Sequence, residues 1–319
     1  MQKLLVICGP TSTGKTKLAL HLAKKYNSEL ISADSRQVYK GMNIGTGKEL
    51  PANSKFKIQS SKLPGYYEIN EVRVWGYDLV PPTRSFSVAQ YKKIIDKVLL
   101  TIFNRKKLPI LVGGTGLYIK AIIDDISTLG VPRNTNLRKS LLNKTSDELY
   151  ALLSQFDPIK SASLNVSDKK NPRRLVRAIE VASRINKLSE IKPKKINYNL
   201  LLIGLILFRQ DLYSKIAKRV DRRIDQGMET EIQKLISSGV RWGNQSMSGM
   251  GYKQWEGYFS KKESLKKVID KWKVAERSYS RKQIAWFKKD KRITWFDIAN
   301  KGYPQNVESL VRKWYKETS

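Results

Sequence analysis

Short apolar runs alternate with stretches of helical periodicity along most of this chain. Apolar runs bounded by polar turns are typical of buried strands, whereas apolar residues that recur every three or four positions predict amphipathic helices. Strands that alternate with helices predict an α/β fold, here a parallel sheet flanked by helices. The predicted strands cover residues 4–8, 29–33, 108–112, 200–208 and 293–296, and the predicted helices cover residues 17–25, 85–104, 212–235, 262–289 and 307–314.

Two segments depart from this alternation. Residues 49–75 are polar and weakly patterned, so we expect a long excursion from the sheet. From about residue 124 to residue 198, helical signals replace strand signals, including a capping box at Thr145 to Glu148 and a helix start at Asn171-Pro172. The sequence therefore predicts a discontinuous core at residues 1–123 and 199–298, an all-helical insertion domain at 124–198, and a C-terminal helical tail at 299–319.

The first predicted strand runs into a loop that matches the phosphate-binding pattern G-x-x-x-x-G-K-[ST]. The glycines let successive backbone N–H groups point at one anion, the lysine adds positive charge, and the last hydroxyl is placed for Mg²⁺. We therefore expect a P-loop NTPase-like core that binds a diphosphate or a triphosphate. The predicted anion-binding residues are Gly9, Pro10, Thr11, Ser12, Thr13, Gly14, Lys15 and Thr16, and Thr16 is also the predicted metal ligand.

The ends of the other predicted strands carry further candidates, because ligands bind beyond the carboxyl ends of open parallel sheets. Asp34 follows strand 29–33 and is a candidate base, although a capping or turn aspartate is the common alternative. Arg209 follows strand 200–208 and is expected at the edge of the same crevice. Strand 108–112 ends in Gly113-Gly114, without the carboxylate that helps to hold Mg²⁺ in nucleotide-hydrolysing P-loop proteins, which argues against an ordinary ATPase.

The net charge of the chain says more about its partners than the rest of its amino-acid composition does. Lys and Arg number 61 against 28 Asp and Glu, a formal net charge of +33, which favours a nucleic acid partner over a merely lysine-rich surface. One cysteine, Cys8, and one histidine exclude a zinc module and fit a reducing cytoplasm. No stretch is long and apolar enough to predict a membrane span. Trp272, Tyr279 and Trp286, at heptad spacing, are interpreted as core residues in preference to base-stacking residues.

Several motifs together resemble one family, the tRNA dimethylallyltransferases, also called tRNA isopentenyltransferases. The segments Asp-Ser-x-Gln-Val-Tyr and Gly-Gly-Thr-Gly-Leu-Tyr, in this order, are more specific than the phosphate loop alone. Because the chain has no further cysteines for a zinc-finger extension, it is similar to the bacterial type. Beyond the phosphate loop, the resemblance rests on Ser32 to Tyr39, Ile44 to Thr46, Leu111 to Tyr118, Pro172 to Val181, Gly251-Tyr252 and Gln283 to Phe287.

The resemblance implies that the bound diphosphate is dimethylallyl diphosphate. The implied acceptor is the exocyclic N6 amine of adenosine 37, directly 3′ of the anticodon, in tRNAs that read codons beginning with U. Asp34 would take the proton from the attacking amine, while Thr16, Mg²⁺ and Arg209 would assist the departing pyrophosphate. The helical insertion would grip the anticodon stem-loop of the tRNA. The residues that the resemblance implies touch tRNA are Asp34, Ser35, Arg36, Gln37, Thr115, Arg138, Arg173, Arg174, Arg177, Ser248, Gly249, Met250, Gly251, Tyr252 and Lys253.

Other functions share parts of this pattern. A P-loop kinase would hold ATP in the same loop, an adenylate isopentenyltransferase would prenylate free AMP, and an RNA-binding protein could keep the loop as a relict. The glycines after strand 108–112 and the basic charge weigh against the kinase, and the charge and the helical insertion weigh against an enzyme acting on AMP. Intact Lys15, Thr16 and Asp34 weigh against the relict. We expect a monomer in the cytoplasm.

Overall fold

One mixed sheet runs through the larger part of the molecule. The computed structural model describes residues 1–48, 50–51, 53–61, 63–124, 126–184 and 198–317, and in this part of the chain eight strands form the sheet in the order β3-β4-β5-β2-β6-β1-β7-β8. Neighbours from β5 to β8 pair in parallel, which confirms the predicted fold class. The strands are β1 (Gln2–Cys8), β2 (Glu29–Ser32), β3 (Lys55–Lys57), β4 (Tyr66–Ile69), β5 (Val72–Trp75), β6 (Pro109–Val112), β7 (Tyr198–Ile206) and β8 (Ile293–Asp297).

Helices make up most of the remaining secondary structure of the described residues. They are α1 (Lys15–Lys25), α2 (Val88–Asn104), α3 (Gly116–Ile123), α4 (Thr135–Ser140), α5 (Ser146–Phe156), α6 (Pro158–Ala162), α7 (Val166–Lys169), α8 (Pro172–Ala182), α9 (Arg209–Asp225), α10 (Met228–Ser237), α11 (Glu256–Phe259), α12 (Leu265–Phe287) and α13 (Gln305–Lys316). In the described part of the chain, no helix combines the length and the apolar character that crossing a bilayer requires.

The side chains of the central strand β1 point alternately to the two faces of the sheet. Val6 lies opposite Leu111 of β6 and Leu202 of β7. Because successive side chains of a strand point to opposite faces, Val6 belongs to the core cluster that includes residues of α2, α3, α9, α10 and α12. Leu5 and Ile7 belong to the cluster that includes residues of α1 and α13. The end of β1 is therefore fixed between two helical layers before the phosphate loop begins.

The segment after residue 48 differs from its prediction. Residues 49–75 were expected to leave the sheet, but β3, β4 and β5 extend it instead. The hairpin between β4 and β5 turns on Asn70 and Glu71, both with positive φ, which matches the right-handed twist of a two-residue hairpin. These strands have three or four residues each, too short for a clear alternating pattern.

The predicted helix 212–235 is two helices. Gly227 adopts a left-handed conformation, with φ of 91°, and separates α9 from α10. A glycine reaches this conformation without steric cost, so the chain turns here although the apolar spacing continues. Glu229 and Glu231 then occupy the first turn of α10, where carboxylates favour the positive end of the helix dipole.

The chain divides into two compact units, one of Met1–Ile123 with Asn197–Ser319 and one of Asp124–Ile196. The described part of the second unit contains α4 to α8, around a core that includes Leu149, Leu153, Leu175 and Ile179. The predicted starts of two of its helices are confirmed. Thr145 and Glu148 form a capping box at α5, and Asn171 caps α8 with Pro172 in its first turn.

Glu180 organises the polar interior of the second unit. Its side chain is fully buried, and it accepts hydrogen bonds from Arg138 Nε at 2.6 Å, Arg177 Nη1 at 3.1 Å and the Asn134 backbone N at 3.0 Å. Burial alone would raise the pKa of Glu180, but these hydrogen bonds outweigh burial and lower the pKa from 4.5 to about 2. The carboxylate is thus charged and held by donor groups of three residues.

We expect Glu180→Gln to destabilise the second unit by about 2 kcal/mol near neutral pH, because hydrogen bonds to a charged group are lost. A lowered carboxyl pKa contributes stability that is complete above pH 4.5 and is lost as the pH falls through about 2. The difference between wild type and Glu180→Gln should therefore shrink from pH 6 to pH 3, measured by hydrogen exchange of α5 and α8 amides. Asp147→Asn, on the exposed start of α5, is the control; an equal effect of both variants would contradict the prediction.

Candidate active site

The phosphate loop leaves β1 at the centre of the sheet and enters α1. Gly9 has φ of 133°, and a Cβ there would lie 2.4 Å from the Leu205 carbonyl oxygen, so only glycine lets the loop pass β7 this closely. Gly14, with φ of 78°, precedes the first residue of α1. Lys15 and Thr16 thus begin a helix whose N-terminus faces the loop, the arrangement that binds phosphate.

Contacts within the loop and from α12 hold its backbone. Thr13 Oγ1 donates to the Pro10 carbonyl oxygen at 2.9 Å, and Lys15 Nζ donates to the same oxygen at 2.6 Å. The Thr11 backbone N donates to Gln283 Oε1 at 2.9 Å, while Gln283 Nε2 donates to the Gly114 carbonyl oxygen at 2.9 Å. One buried amide therefore joins the phosphate loop to the end of β6, a role for Gln283 that the sequence pattern did not indicate.

A cavity of about 340 Å³ opens beside this loop. Lys15 and Thr16 line one part of it, and Asp34 lines it from the end of β2. Asp34 Oδ1 accepts a hydrogen bond from the Arg36 backbone N at 2.8 Å, which fixes the carboxylate beside the cavity. The structure therefore brings the candidate base and the phosphate loop to one space, as their positions at strand ends predicted.

A tyrosine of α12, Tyr279, lies near the same carboxylate. Burial, and then the negative charge of Asp34, raise the pKa of Tyr279 to about 12, so this phenol stays protonated at neutral pH. Tyr279 lines the cavity. Next to it, the Ser35 backbone N donates to Thr115 Oγ1 at 3.1 Å, which ties the turn after β2 to the turn after β6.

The arginine of the cavity is not the predicted one. Arg209 is exposed at the first position of α9, and the described residues that line the cavity include Arg219 and Arg223 from later turns of that helix. Arg219 Nη1 donates to Thr11 Oγ1 at 2.5 Å. Arg209 was predicted because it directly follows a strand. The cavity is instead lined by arginines from the middle of α9, and one of them contacts the phosphate loop. Sequence spacing offers a signal in retrospect, since Arg219 and Arg223 are one helical turn apart.

Arg223 is buried behind Arg219. Burial, and then the charge of Arg219, lower the pKa of Arg223 to about 10, which still leaves it charged at neutral pH. Glu276 Oε1 accepts from Arg223 Nη1 at 3.1 Å and from Trp272 Nε1 at 3.3 Å. This ion pair anchors the cationic side of the cavity to α12.

A second, more open cavity of about 690 Å³ also borders the phosphate loop. It shares Lys15, Thr16 and Arg219 with the first cavity. Lys215, Lys218 and Arg222 from α9 line it as well. Asp221 and Asp225 line it too, but lysines and arginines outnumber them, so this cavity beside the phosphate loop is also cationic.

Sequence comparison assigns this arrangement to a family. The model of the IPP transferase family matches residues 37–290, and that of the isopentenyl transferase family matches residues 2–60. The chain belongs to the IPP transferase family.

Curated relatives in this family match the chain almost from end to end. It is 37% identical over 304 residues to a tRNA dimethylallyltransferase of Anoxybacillus flavithermus, covering 94% of this chain and 91% of the relative. It is 36% identical over 310 residues to a tRNA dimethylallyltransferase of Syntrophomonas wolfei, covering 94% and 93%. The resemblance read from the motifs is thereby confirmed.

Solved structures of the IPP transferase family have the same architecture. A tRNA isopentenylpyrophosphate transferase from Bacillus halodurans superposes with a TM-score of 0.68 at 34% identity, covering 98% of this chain and 95% of that one. A eukaryotic dimethylallyltransferase that acts on tRNA gives a TM-score of 0.79 at 22% identity, which supports the fold.

The residues that the family resemblance assigned to tRNA contact separate into exposed and buried groups. Ser35, Arg36, Gln37, Ser248 and Met250 line the cavity with Asp34. Gly249 lies against the Arg36 side chain, and Lys253 is exposed. Tyr252 and Gly251 are buried, and their contact with tRNA stays a prediction. The Tyr252 hydroxyl donates to Glu231 Oε1 at 2.6 Å.

The predicted basic face of α8 is partly neutralised within its own unit. Arg138 and Arg177 hold Glu180, and Arg174 pairs with Asp168. Arg173 is exposed. These four arginines therefore differ in their partners. Arg138 with Glu180 and Arg174 with Asp168 pair between different helices, which spacing alone does not reveal, whereas Arg177 and Glu180 are three residues apart on α8.

The aromatic stripe of α12 also differs from its interpretation. Trp272 is fully buried, as expected of a core residue. Tyr279 lines the cavity, and Trp286 is 43% exposed with its indole edge against Gly116. The stripe therefore passes from the core to the cavity and then to the surface.

We expect Arg219→Gln to weaken the binding of inorganic pyrophosphate by about tenfold to a hundredfold, the cost of losing a charge-assisted hydrogen bond. Arg209→Gln removes the same charge from the exposed start of α9 and should leave the affinity unchanged. Isothermal titration calorimetry of wild type and both variants measures the effect. Equal losses in the two variants would mean that only overall charge matters.

Proposed function

We propose that this protein transfers the dimethylallyl group of dimethylallyl diphosphate to the N6 amine of adenosine 37 in tRNAs that read codons beginning with U. The observation that carries the proposal is the placement of Asp34 in one cavity with Lys15 and Thr16 of the phosphate loop. Relatives over 90% of the chain bear the name tRNA dimethylallyltransferase, which supports the same substrates.

The reaction needs a base that takes the proton of the amine, and it releases pyrophosphate as the leaving group. The N6 nitrogen attacks C1 of the allyl group, the C1–O bond breaks, and the bonding electrons leave with pyrophosphate. A neutral exocyclic amine is a weak nucleophile, so its proton must be removed as the new C–N bond forms. The Asp34 carboxylate is the acceptor for that proton in this proposal, and its hydrogen bond from the Arg36 amide keeps it oriented.

The phosphate loop and α9 would stabilise the charge that develops on pyrophosphate. Lys15 and Arg219 line the cavity beside the loop, and the N-terminus of α1 adds a favourable dipole. The Thr16 hydroxyl also faces this space and has the oxygen chemistry that Mg²⁺ prefers. Within the described residues there is no cluster of acidic, histidine or cysteine side chains that could hold a metal without the phosphates. When bound, Mg²⁺ supplies further positive charge to the leaving group.

A large, negatively charged RNA partner accounts for the basic charge of the chain. The net charge of +33 would attract the phosphates of an anticodon stem-loop. Adenosine 37 must leave its stack to reach a cavity at the sheet edge, at a cost of about a few kcal/mol that phosphate contacts would offset. We propose Arg36, Gln37, Ser248 and Met250, which line the cavity, as contacts for that nucleotide. We propose further that the protein acts as a monomer.

The end of β6 disfavours phosphoryl transfer to or from a nucleotide. A Cβ at Gly113 would lie 2.2 Å from the Ala33 carbonyl oxygen, so a metal-binding carboxylate does not fit at that position. Nucleotide-hydrolysing P-loop proteins use such a carboxylate for Mg²⁺. This contact supports a site in which the diphosphate departs with its carbon–oxygen bond broken.

Labelled dimethylallyl diphosphate tests the assignment directly. Purified protein should transfer the label to unmodified tRNA that reads codons beginning with U and should release one pyrophosphate for each label. tRNA in which adenosine 37 is replaced by guanosine should accept none. Transfer to free AMP, or ATP turnover without tRNA, would overturn the proposal.

We expect Asp34→Asn to lower the rate of transfer by about 100-fold to 10,000-fold, the usual contribution of a positioned base. The affinity for tRNA should stay within a few-fold of wild type, because the amide keeps the size of the carboxylate. Single-turnover kinetics and filter binding measure the two quantities. A parallel loss of tRNA affinity would make Asp34 a contact or structural residue.

A further inference from the structure

Glu231, in the first turn of α10, binds an unusual number of donors for a half-buried carboxylate. Its Oε2 accepts from the backbone N of Asn43 at 2.9 Å and of Ile44 at 2.7 Å. Its Oε1 accepts from the Gly45 backbone N at 3.1 Å and from the Tyr252 hydroxyl at 2.6 Å. Three consecutive amides of one loop therefore converge on a single side chain, the geometry of an anion nest.

The loop that Glu231 holds forms one wall of the cavity. Gly45, Thr46 and Gly47 all line it. Gln37 Nε2 donates to the Gly47 carbonyl oxygen at 3.1 Å, and Gln37 Oε1 accepts from Ser32 Oγ at 2.7 Å. The loop thus fixes Gln37, which is three residues beyond Asp34. None of these contacts involves the phosphate loop.

The fourth donor belongs to a second wall. Tyr252 is fully buried, and its ring lies so close to Gly45 that a Cβ there would be 2.5 Å from Tyr252 Cζ. Ser248 and Met250, a few residues before Tyr252, line the cavity. Glu231 therefore accepts hydrogen bonds from both segments, from the amides of residues 43–45 and from the Tyr252 hydroxyl.

We propose that Glu231 is a positioning residue that holds both segments, residues 43–47 and 248–252, in the geometry that receives the acceptor base. The inference rests on the proposed function. The phosphate loop has its own supports, Gln283 and the Thr13–Pro10 hydrogen bond, which do not pass through Glu231. Loss of Glu231 should therefore affect the RNA substrate and spare the diphosphate.

Glu231→Ala tests this division. We expect the KM for tRNA to rise about tenfold to a hundredfold, as expected for the loss of charge-assisted hydrogen bonds, while the KM for dimethylallyl diphosphate changes less than threefold. The matched control is Glu229→Ala, in the same helical turn, where the carboxylate accepts only from the Tyr258 hydroxyl at 3.2 Å among the described contacts. This control should behave as wild type.

Chemical rescue separates positioning from a general structural role. Acetate can enter the space that Glu231→Ala leaves and present a carboxylate to the same amides. It should therefore lower the KM for tRNA most of the way back to the wild-type value, whereas chloride at equal ionic strength should not. Glu231→Gln fills the space with an amide that cannot accept at both ends, and acetate should not rescue it. Equal increases in both KM values, or no rescue by acetate, would overturn the proposal.

Binding measurements keep this test independent of catalysis. If wild type transfers no label, the proposed function fails, and the equilibrium affinities of Glu231→Ala for stem-loop RNA and for inorganic pyrophosphate decide the inference. Weaker RNA binding with unchanged pyrophosphate binding supports the proposal, and unchanged RNA binding overturns it. Hydrogen exchange should also quicken at the amides of Asn43, Ile44 and Gly45 in Glu231→Ala, and unaltered exchange there would contradict the described contacts.

Discussion

Parallel pairing of β2, β6 and β1 brings three strand ends to one edge of the sheet, and every part of the site depends on it. The Ala33 backbone N donates to the Val112 carbonyl oxygen at 2.8 Å, and the Gly113 backbone N donates to the Ile7 carbonyl oxygen at 3.1 Å. These bonds carry the pairing one residue beyond each strand. Asp34, the turn after β6 and the phosphate loop therefore start from fixed and adjacent positions, and Gln283 and Thr115 only have to join them.

Several acidic residues of this basic chain are buried and pair with arginines. Glu29 is fully buried, with its carboxylate 3.0 Å from Arg105 Nη1 and 2.7 Å from Trp75 Nε1. Glu180 and Glu276 hold arginines in the same way. Several of the few acidic residues are thus used to order the interior, where an unpaired charge would be costly. These acids neutralise arginines of the interior and leave the net positive charge of the chain unchanged.

Features that follow from local pattern could be predicted from the sequence. The phosphate loop, the position of Asp34 and the capped helices depend on residues close together in the chain, and the structure has them where the pattern indicated. Arg219 could not be chosen over Arg209, because the choice depends on how α9 passes the loop. The burial of Tyr252 and the pairing of Arg138 with Glu180 depend on contacts between distant residues, which spacing does not reveal.

The crowding at Gly113 constrains what this scaffold could become. Any side chain there would collide with the backbone of Ala33, not with a flexible group that could move aside. A single substitution therefore cannot supply the aspartate that P-loop hydrolases carry at this point, since the neighbouring strand would have to shift first. A carboxylate at position 113 would therefore require changes at the ends of two neighbouring strands.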